Sequence, residues 1–209
     1  MSKYFNYFPK TIYQLSDNTV DSALKITSRF NFEQSFKDNS AVAYEYDIQD
    51  GDTPEIIANK LYGSPERHWI VLLFNNIIDP QVDWPLDQRT LIRFIEDKYK
   101  ANANVGQSGL NWAQSHNHSY YIIETRTTTN TGDYLETKTE TDANTYANAV
   151  SSITNITLSD GSPIKITMSK ENKSYYVYET ENNDSKRTIK LLKQEFIPAV
   201  EEEFRRVIK

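Results

Sequence analysis

Residues 41–100 carry the most regular punctuation in the chain, and it confines that stretch to a strand followed by short helices. Val42, Tyr44, Tyr46 and Ile48 alternate with small or polar residues, the period of a half-buried strand. Asp50-Gly51-Asp52 then makes a turn, and Thr53-Pro54-Glu55 opens a helix. Pro54 falls at the first helical position, where its missing N–H costs nothing. Asp52 and Glu55 also have the spacing of a capping box. Ile56, Ile57 and Leu61 give this helix an apolar face, and Gly63 ends it. Ser64-Pro65-Glu66 repeats the start signal. Trp69, Ile70, Leu72, Leu73 and Phe74 make the next helix apolar on nearly all sides, which requires burial. Asn75-Asn76 stops it, and Asp79-Pro80 and Trp84-Pro85 are rigid turns. Leu91, Phe94, Ile95 and Tyr99 recur at helical spacing, so a third helix is expected from about Asp87 to Tyr99.

The flanking regions are less regular. Residues 1–40 open with Tyr4, Phe5, Tyr7, Phe8 and Tyr13, and Pro9 biases Phe8 towards extended geometry. This reads as an extended arm with short strands, or as a strand pair of the main core. Residues 101–118 show little periodicity and read as a loop. Residues 119–129 and 134–141 flank Asn130-Thr131-Gly132-Asp133, a hairpin signal. Thr125, Thr127, Thr128 and Thr129 are expected to face Thr137, Thr139 and Thr141 across it, which makes both faces polar. A lone two-stranded ribbon of that kind is marginal in water. It is then either solvated and mobile or held by another chain, and one or two helical turns follow in 142–150. Residues 153–158 and 164–168 flank Ser159-Asp160-Gly161-Ser162 as a second hairpin. Residues 175–178 and 188–192 are expected to form a third, around Asn182-Asn183-Asp184. A last helix starts near Pro198, with Val200, Phe204 and Val207 on its inner face.

The apolar content is lean. Only 38% of the 209 residues are hydrophobic, and 14 of these are Tyr. Such a chain has extended parts or completes its burial against partners. The net charge is −6, so duplex nucleic acid is a poor first expectation. No stretch approaches the ~18–20 apolar residues of a membrane span, and residues 1–10 lack the apolar core of a signal peptide. There is no cysteine, which excludes disulfides, thiolate metal sites and cysteine nucleophiles. Manufacture and assembly in a cytoplasm are expected.

Chemistry-bearing constellations are scarce. His116 and His118 could present two imidazoles for a metal, but no carboxylate lies close in sequence. His68 sits where capping or packing is the simpler role. The carboxylate runs Glu96-Asp97 and Glu201-Glu202-Glu203 belong to charged surface, and nothing nominates a glycosidase pair. GxSxG, HExxH and glycine-rich phosphate loops are missing. No catalytic residue, metal ligand or cofactor is therefore nominated, and an enzyme is not expected.

The run from Tyr46-Asp47-Ile48-Gln49-Asp50-Gly51-Asp52-Thr53-Pro54-Glu55 to Leu61-Tyr62-Gly63 resembles the opening of a LysM module. Trp69 and Asn75-Asn76-Ile77-Ile78-Asp79-Pro80 are similar to its second helix and following turn. That resemblance implies binding of N-acetylglucosamine polymers such as peptidoglycan, in a groove of Asp50, Gly51, Asp52, Thr53, Asn75, Asn76 and Asp79. The usual second strand does not follow: Trp84-Pro85-Leu86 leads into a helix, so the sheet must be completed from elsewhere.

This variant, with Tyr4-Phe5-Asn6-Tyr7-Phe8-Pro9 at the start and Asn183-Asp184-Ser185-Lys186-Arg187-Thr188-Ile189-Lys190-Leu191-Leu192 near the end, resembles the baseplate wedge protein 53 family of contractile-tailed bacteriophages. The resemblance implies a structural subunit in six copies, within the virion, that contacts other wedge components and neighbouring wedges. Partner contacts are expected at Tyr4, Phe5, Tyr7, Phe8, Trp84, Thr127, Thr129, Thr137 and Thr139. The expected fold is α+β, in four zones. These are an aromatic arm (1–40), a LysM-like βαα module with a third helix (41–100), a loop and Thr-rich hairpin (101–150), and a β-hairpin-rich region ending in a helix (151–209).

Overall fold

The computed structural model describes residues 8–16, 18–26, 30–128 and 131–208. In chain order the elements are β1 (Lys10–Gln14), β2 (Val20–Leu24), α1 (Gln34–Lys37), β3 (Ala43–Asp47), α2 (Pro54–Tyr62), α3 (His68–Phe74), α4 (Pro80–Asp83), α5 (Gln88–Tyr99), α6 (Gly109–Ser115), β4 (Asn117–Thr128), β5 (Tyr134–Thr141), α7 (Ala143–Asn148), β6 (Ser152–Thr157), β7 (Pro163–Ser174), α8 (Tyr175–Asp184), β8 (Thr188–Leu192) and α9 (Ile197–Ile208). The fold is mixed α+β, and it divides into two compact units: residues 1–88 with 183–209, and residues 89–182.

The first unit is organised around a strand pair drawn from opposite ends of the chain. β3 and β8 are antiparallel, with Tyr44 opposite Leu191 and Tyr46 opposite Ile189. The strand missing after Trp84-Pro85-Leu86 is thus supplied by the C-terminal segment. Under the pair lie α2, α3 and α9. Ile57, Ile70, Leu191, Leu192, Ile197 and Phe204 are almost wholly buried there, each such side chain contributing about 1.5–3 kcal/mol of hydrophobic burial. Phe204 collects the aromatic core, with the Trp69 ring centroid at 4.6 Å, Phe30 at 5.5 Å and Phe8 at 6.2 Å. Thr53 is the cap of α2, accepting from the Ile56 N–H, and Gly63 ends the helix at φ 70°, a left-handed conformation suited to glycine. Asp52 is therefore not the cap, and its carboxylate has another use described below.

Among the described residues, the leading segment pairs with neither of the other two sheets. β1 and β2 form a two-stranded sheet of their own, and all ten of their residues are exposed. The segment is tied to the core through Phe8 before the hairpin and through Phe30, Phe32 and Phe36 after it.

The second unit corrects three expectations. The threonine ribbon is not a lone hairpin: β4 pairs with β5 on one side and β7 on the other, in the four-stranded order β5-β4-β7-β6. Nor do the threonines face one another. Thr125 lies opposite Glu136 and Thr127 opposite Tyr134, while Thr137 meets Glu124 and Thr139 meets Ile122. A one-residue difference in register sends a whole strand's side chains to the other face. The supposed loop at 101–118 contains α6. Its start is fixed by Ser108, which accepts from the Asn111 N–H, and by the Glu96 carboxylate, which accepts from the Gly109 and Leu110 N–H groups. Gly109 is required for that approach, because a Cβ there would lie 2.2 Å from the Glu96 carbonyl oxygen.

The expected pairing of 175–178 with 188–192 is also overturned, since the first of these is helical and the second pairs with β3. The aromatic run favours a strand by propensity, but side-chain bonding holds the helix. Ser174 Oγ accepts from the Val177 N–H. The buried Glu179 carboxylate accepts from Tyr99 OH at 2.6 Å and pairs with Lys98 at 2.7 Å.

Two substitutions probe the first unit. Asn75 Nδ2 donates to the Lys190 carbonyl and its Oδ1 accepts from the Lys190 N–H, both at 2.8 Å. Asn75→Ala removes both partners from the outer edge of β8 and should cost about 1–3 kcal/mol, read as a lower midpoint in thermal melting. The Tyr62 hydroxyl is buried and, among the described residues, makes no hydrogen bond of ordinary geometry. Tyr62→Phe should leave the midpoint unchanged or raise it; a clear drop would mean that the hydroxyl has a working partner.

Candidate interaction surface

The residues nominated for a glycan groove all belong to the first unit, and most of them already use side-chain polar atoms within the chain. Asp50 pairs with Arg187 at 2.9 Å. Gly51 turns the backbone at φ 89°. Asp52 Oδ1 receives Lys60 Nζ at 2.6 Å, and its Oδ2 receives Tyr46 OH at 2.8 Å and the Gln49 N–H at 3.2 Å. Thr53 caps α2. Asn75 is bonded to β8 and to the Val71 carbonyl. Asn76, left-handed at φ 57°, accepts from the buried Lys37 ammonium. Asp79 caps α4 through the Gln81 N–H. A sugar bound through these atoms would have to displace the bonds they already make.

Trp84 and Phe8, nominated as partner contacts, are buried. Trp84 donates its indole N–H to the Asp52 carbonyl at 3.0 Å, and Phe8 packs edge-on against Phe204. In this structure both hold the core. Tyr4, Phe5, Tyr7 and Thr129 lie outside the described residues. Thr137 and Thr139 are exposed on β5, and Thr127 is half-buried on β4.

Several residues have structural roles that the sequence reading did not assign to them. Asn183 is buried and clamps Leu86, accepting its N–H at 2.7 Å and donating to its carbonyl at 3.0 Å. Arg187 donates to the Leu86 and Ile48 carbonyls while pairing with Asp50 and Asp184. Lys186 reaches the Val82 carbonyl at 2.8 Å. The segment 183–187 thus locks the Trp84-Pro85-Leu86 turn. The one legible signal was the density of Asn, Asp, Lys and Arg beside a strand.

His116 and His118 do not join a ligand set. His116 stacks on Trp112 at 4.4 Å, His118 stacks on Tyr178 at 3.8 Å, and both are exposed. Among the described residues no three His, Cys, Asp or Glu side chains come together in a way that could hold a metal. No helix among them is long and apolar enough to cross a membrane.

The first unit also presents apolar side chains outward. Ile12, Val20 and Leu24 share one face of the β1–β2 hairpin, and they are 75%, 65% and 40% exposed, with Ile26 at 66% just beyond. A two-stranded hairpin exposed on both faces gains little stability by itself. Exposed apolar stripes of this kind mark places where another surface docks.

The Asp52 cluster gives a pH prediction. Burial alone would raise the carboxyl's pKa, but the bonds from Lys60, Tyr46 and Gln49 together hold it below the ordinary 3.8. A carboxylate with a lowered folded pKa adds stability that is fully present above its unfolded pKa and is lost as pH falls through the folded one. Burial, reinforced by the Asp52 carboxylate, pushes the Tyr46 phenol up to about 12. Its share is complete below the ordinary value of 10 and disappears as pH rises through about 12. Asp52→Asn should therefore lose stability at pH 7 and melt with a flatter dependence on acid than the parent chain, as followed by circular dichroism.

Comparison with known proteins identifies the family. Residues 3–207 match the model of the family described as base plate wedge protein 53. The baseplate wedge protein gp53 of Enterobacteria phage T4 is 36% identical over 61 residues, 29% of this chain and 30% of that protein. The aligned part thus spans less than a third of the curated relative. Because the family match runs through both units and nearly end to end, the chain belongs to the base plate wedge protein 53 family.

Proposed function

We propose that this chain is a structural subunit of a bacteriophage tail baseplate wedge, located in the virion and joining wedge components and neighbouring wedges around the central hub. The observation that carries the reading is the family match over residues 3–207. The physical support is the exposed apolar hairpin, held to the core by phenylalanines on either side. Its work is done by surface complementarity rather than by bond-making, with no catalytic residue and no cofactor. The partners are other baseplate subunits, in an assembly with six copies of this chain. Assembly takes place in the host cytoplasm, without nucleic acid or membrane as partner.

Within this reading, β3, α2, α3 and β8 form a LysM-like arrangement whose second strand comes from the far end of the sequence. The strand, the Gly51-Asp52-Thr53 turn, two short helices and an antiparallel second strand support that assignment. Bonds within the chain already engage Asp50, Asp52, Thr53, Asn75, Asn76 and Asp79, which suits a module retained as scaffold.

The test mixes the purified full chain with the other baseplate proteins of its phage and follows co-elution in size-exclusion chromatography. Co-elution with at least one of them is expected. Ile12→Asp combined with Leu24→Asp should abolish it while leaving the melting curve intact, since both residues are exposed. A chain that elutes alone from every mixture would defeat the proposal.

A further inference from the structure

β6 is an outer strand of the four-stranded sheet, and among the described residues no strand pairs with its far side. All six of its residues are exposed, Ile153 at 64% and Ile156 at 44%. Antiparallel ladders alternate hydrogen-bonded and non-bonded pairs, and the turn after β6 fixes that alternation. The Leu158 N–H donates to the Ser162 carbonyl at 2.9 Å. Counting back along the register, Ile156, Thr154 and Ser152 bond to β7, while Ile153, Asn155 and Thr157 turn their N–H and C=O groups outward. Pro163, which has no N–H to give, accordingly lies opposite Thr157.

Natural edge strands are usually blunted by a lysine, a proline or a bulge. The opposite edge of the sheet, β5, carries Lys138 between Glu136 and Glu140 on one face. β6 has the sequence Ser-Ile-Thr-Asn-Ile-Thr, with no charge, proline or glycine, and its register with β7 runs without a shift. Such an edge is a template for a further strand, and its neutrality suits a strand without charge. One face of the sheet also indicates the side chains that strand carries. Ser152, Thr154 and Ile156 lie opposite Met168, Ile166 and Ile164 of β7, and these three are half-buried. Ser152 and Thr154 are too short to cover Met168 and Ile166 from the open side. Large apolar side chains on an added strand would cover them. The reverse face, at Asn155 and Thr157, is polar.

We propose that β6 receives an extended segment of another baseplate protein by strand addition. The segment alternates large apolar residues, on the face of Ser152 and Thr154, with uncharged polar ones. Its backbone bonds to Ile153, Asn155 and Thr157 supply affinity, and its alternate side chains supply specificity. Pairing of β6 with a second β6 closes at two copies, so in an assembly of six copies around one hub the segment comes from a different subunit. The inference rests on the wedge reading and adds to it a site in the second unit and a mode of binding.

Residue-resolved hydrogen exchange tests it, on the full chain alone and after mixing with each purified baseplate protein of its phage. In the free chain the Ile153, Asn155 and Thr157 amides should exchange faster than those of Thr154 and Ile156. In the complex the three outward amides should slow at least about tenfold. Asn155→Pro removes an outward N–H and leaves the ladder to β7 whole, so it should fold and weaken the complex about tenfold. Ile153→Lys supplies the blunting that this edge lacks and should weaken the complex likewise; it decides the matter if the proline disturbs the sheet. Circular dichroism melts confirm that each variant is folded. A chain that elutes alone from every mixture defeats the wedge reading and this inference with it. A complex whose three outward amides exchange as fast as in the free chain overturns this inference alone, as does a complex indifferent to the folded variants. Self-association of the parent chain that these variants abolish assigns the edge to a second copy and also overturns it.

Discussion

The pairing of β3 with β8 is the constraint on which the first unit depends. It closes a loop of well over a hundred residues, and closing so long a loop carries an entropic cost that local contacts cannot meet. The structure offsets that cost in one place. Ile189, Leu191 and Leu192 are buried on arrival, Asn75 bonds the outer edge of β8, and Asn183 with Arg187 fixes the turn at Leu86. α9 then covers the aromatic core with Phe204. Remove the C-terminal segment and β3 has no partner, Trp69 loses its neighbour, and the turn after α4 loses its clamp.

The unit finishes its own packing internally, and this changes how the lean composition is understood. The apolar residues are concentrated in one well-filled core, and the shortage shows elsewhere. The β1–β2 hairpin has no buried residue, and the four-stranded sheet of the second unit has none but Ser119. Surfaces of that kind rest largely on ladder bonds, polar pairs and half-exposed aromatic contacts such as Tyr120 with Tyr146. They suit a protein whose remaining contacts come from other subunits of an assembly.

Much of the first unit was legible in the sequence because its signals are local. The Thr53-Pro54 start, the Gly63 stop and the all-round apolar helix at Trp69 each fix an element within a few residues, as the period of Leu91, Ile95 and Tyr99 does for α5 in the second unit. The β8 partner was not legible, since nothing local connects Tyr44 to Leu191. The helix at Tyr175 was misread because aromatic residues favour strands until tertiary bonding, here Glu179 to Tyr99 and Lys98, outweighs propensity. The threonine register was missed because it depends on the turn's hydrogen bonds, which a one-residue error reverses. Of the candidate site, the resemblance to a LysM module did not reveal that Asp52, Asn75 and Asn76 serve the fold. The exposed stripe of Ile12, Val20 and Leu24 went unnoticed, because exposure is a property of packing rather than of residue type.

Hydrogen exchange of the full chain in isolation tests the central claim, that a distant C-terminal strand completes the first unit and leaves the leading hairpin outside it. Amides of β3 and β8 should exchange slowly and with a common opening free energy, as members of one cooperative unit, while those of β1 and β2 exchange far faster. Fast exchange in β8 beside slow exchange in β3, or equal protection in the hairpin and the core, would contradict the account.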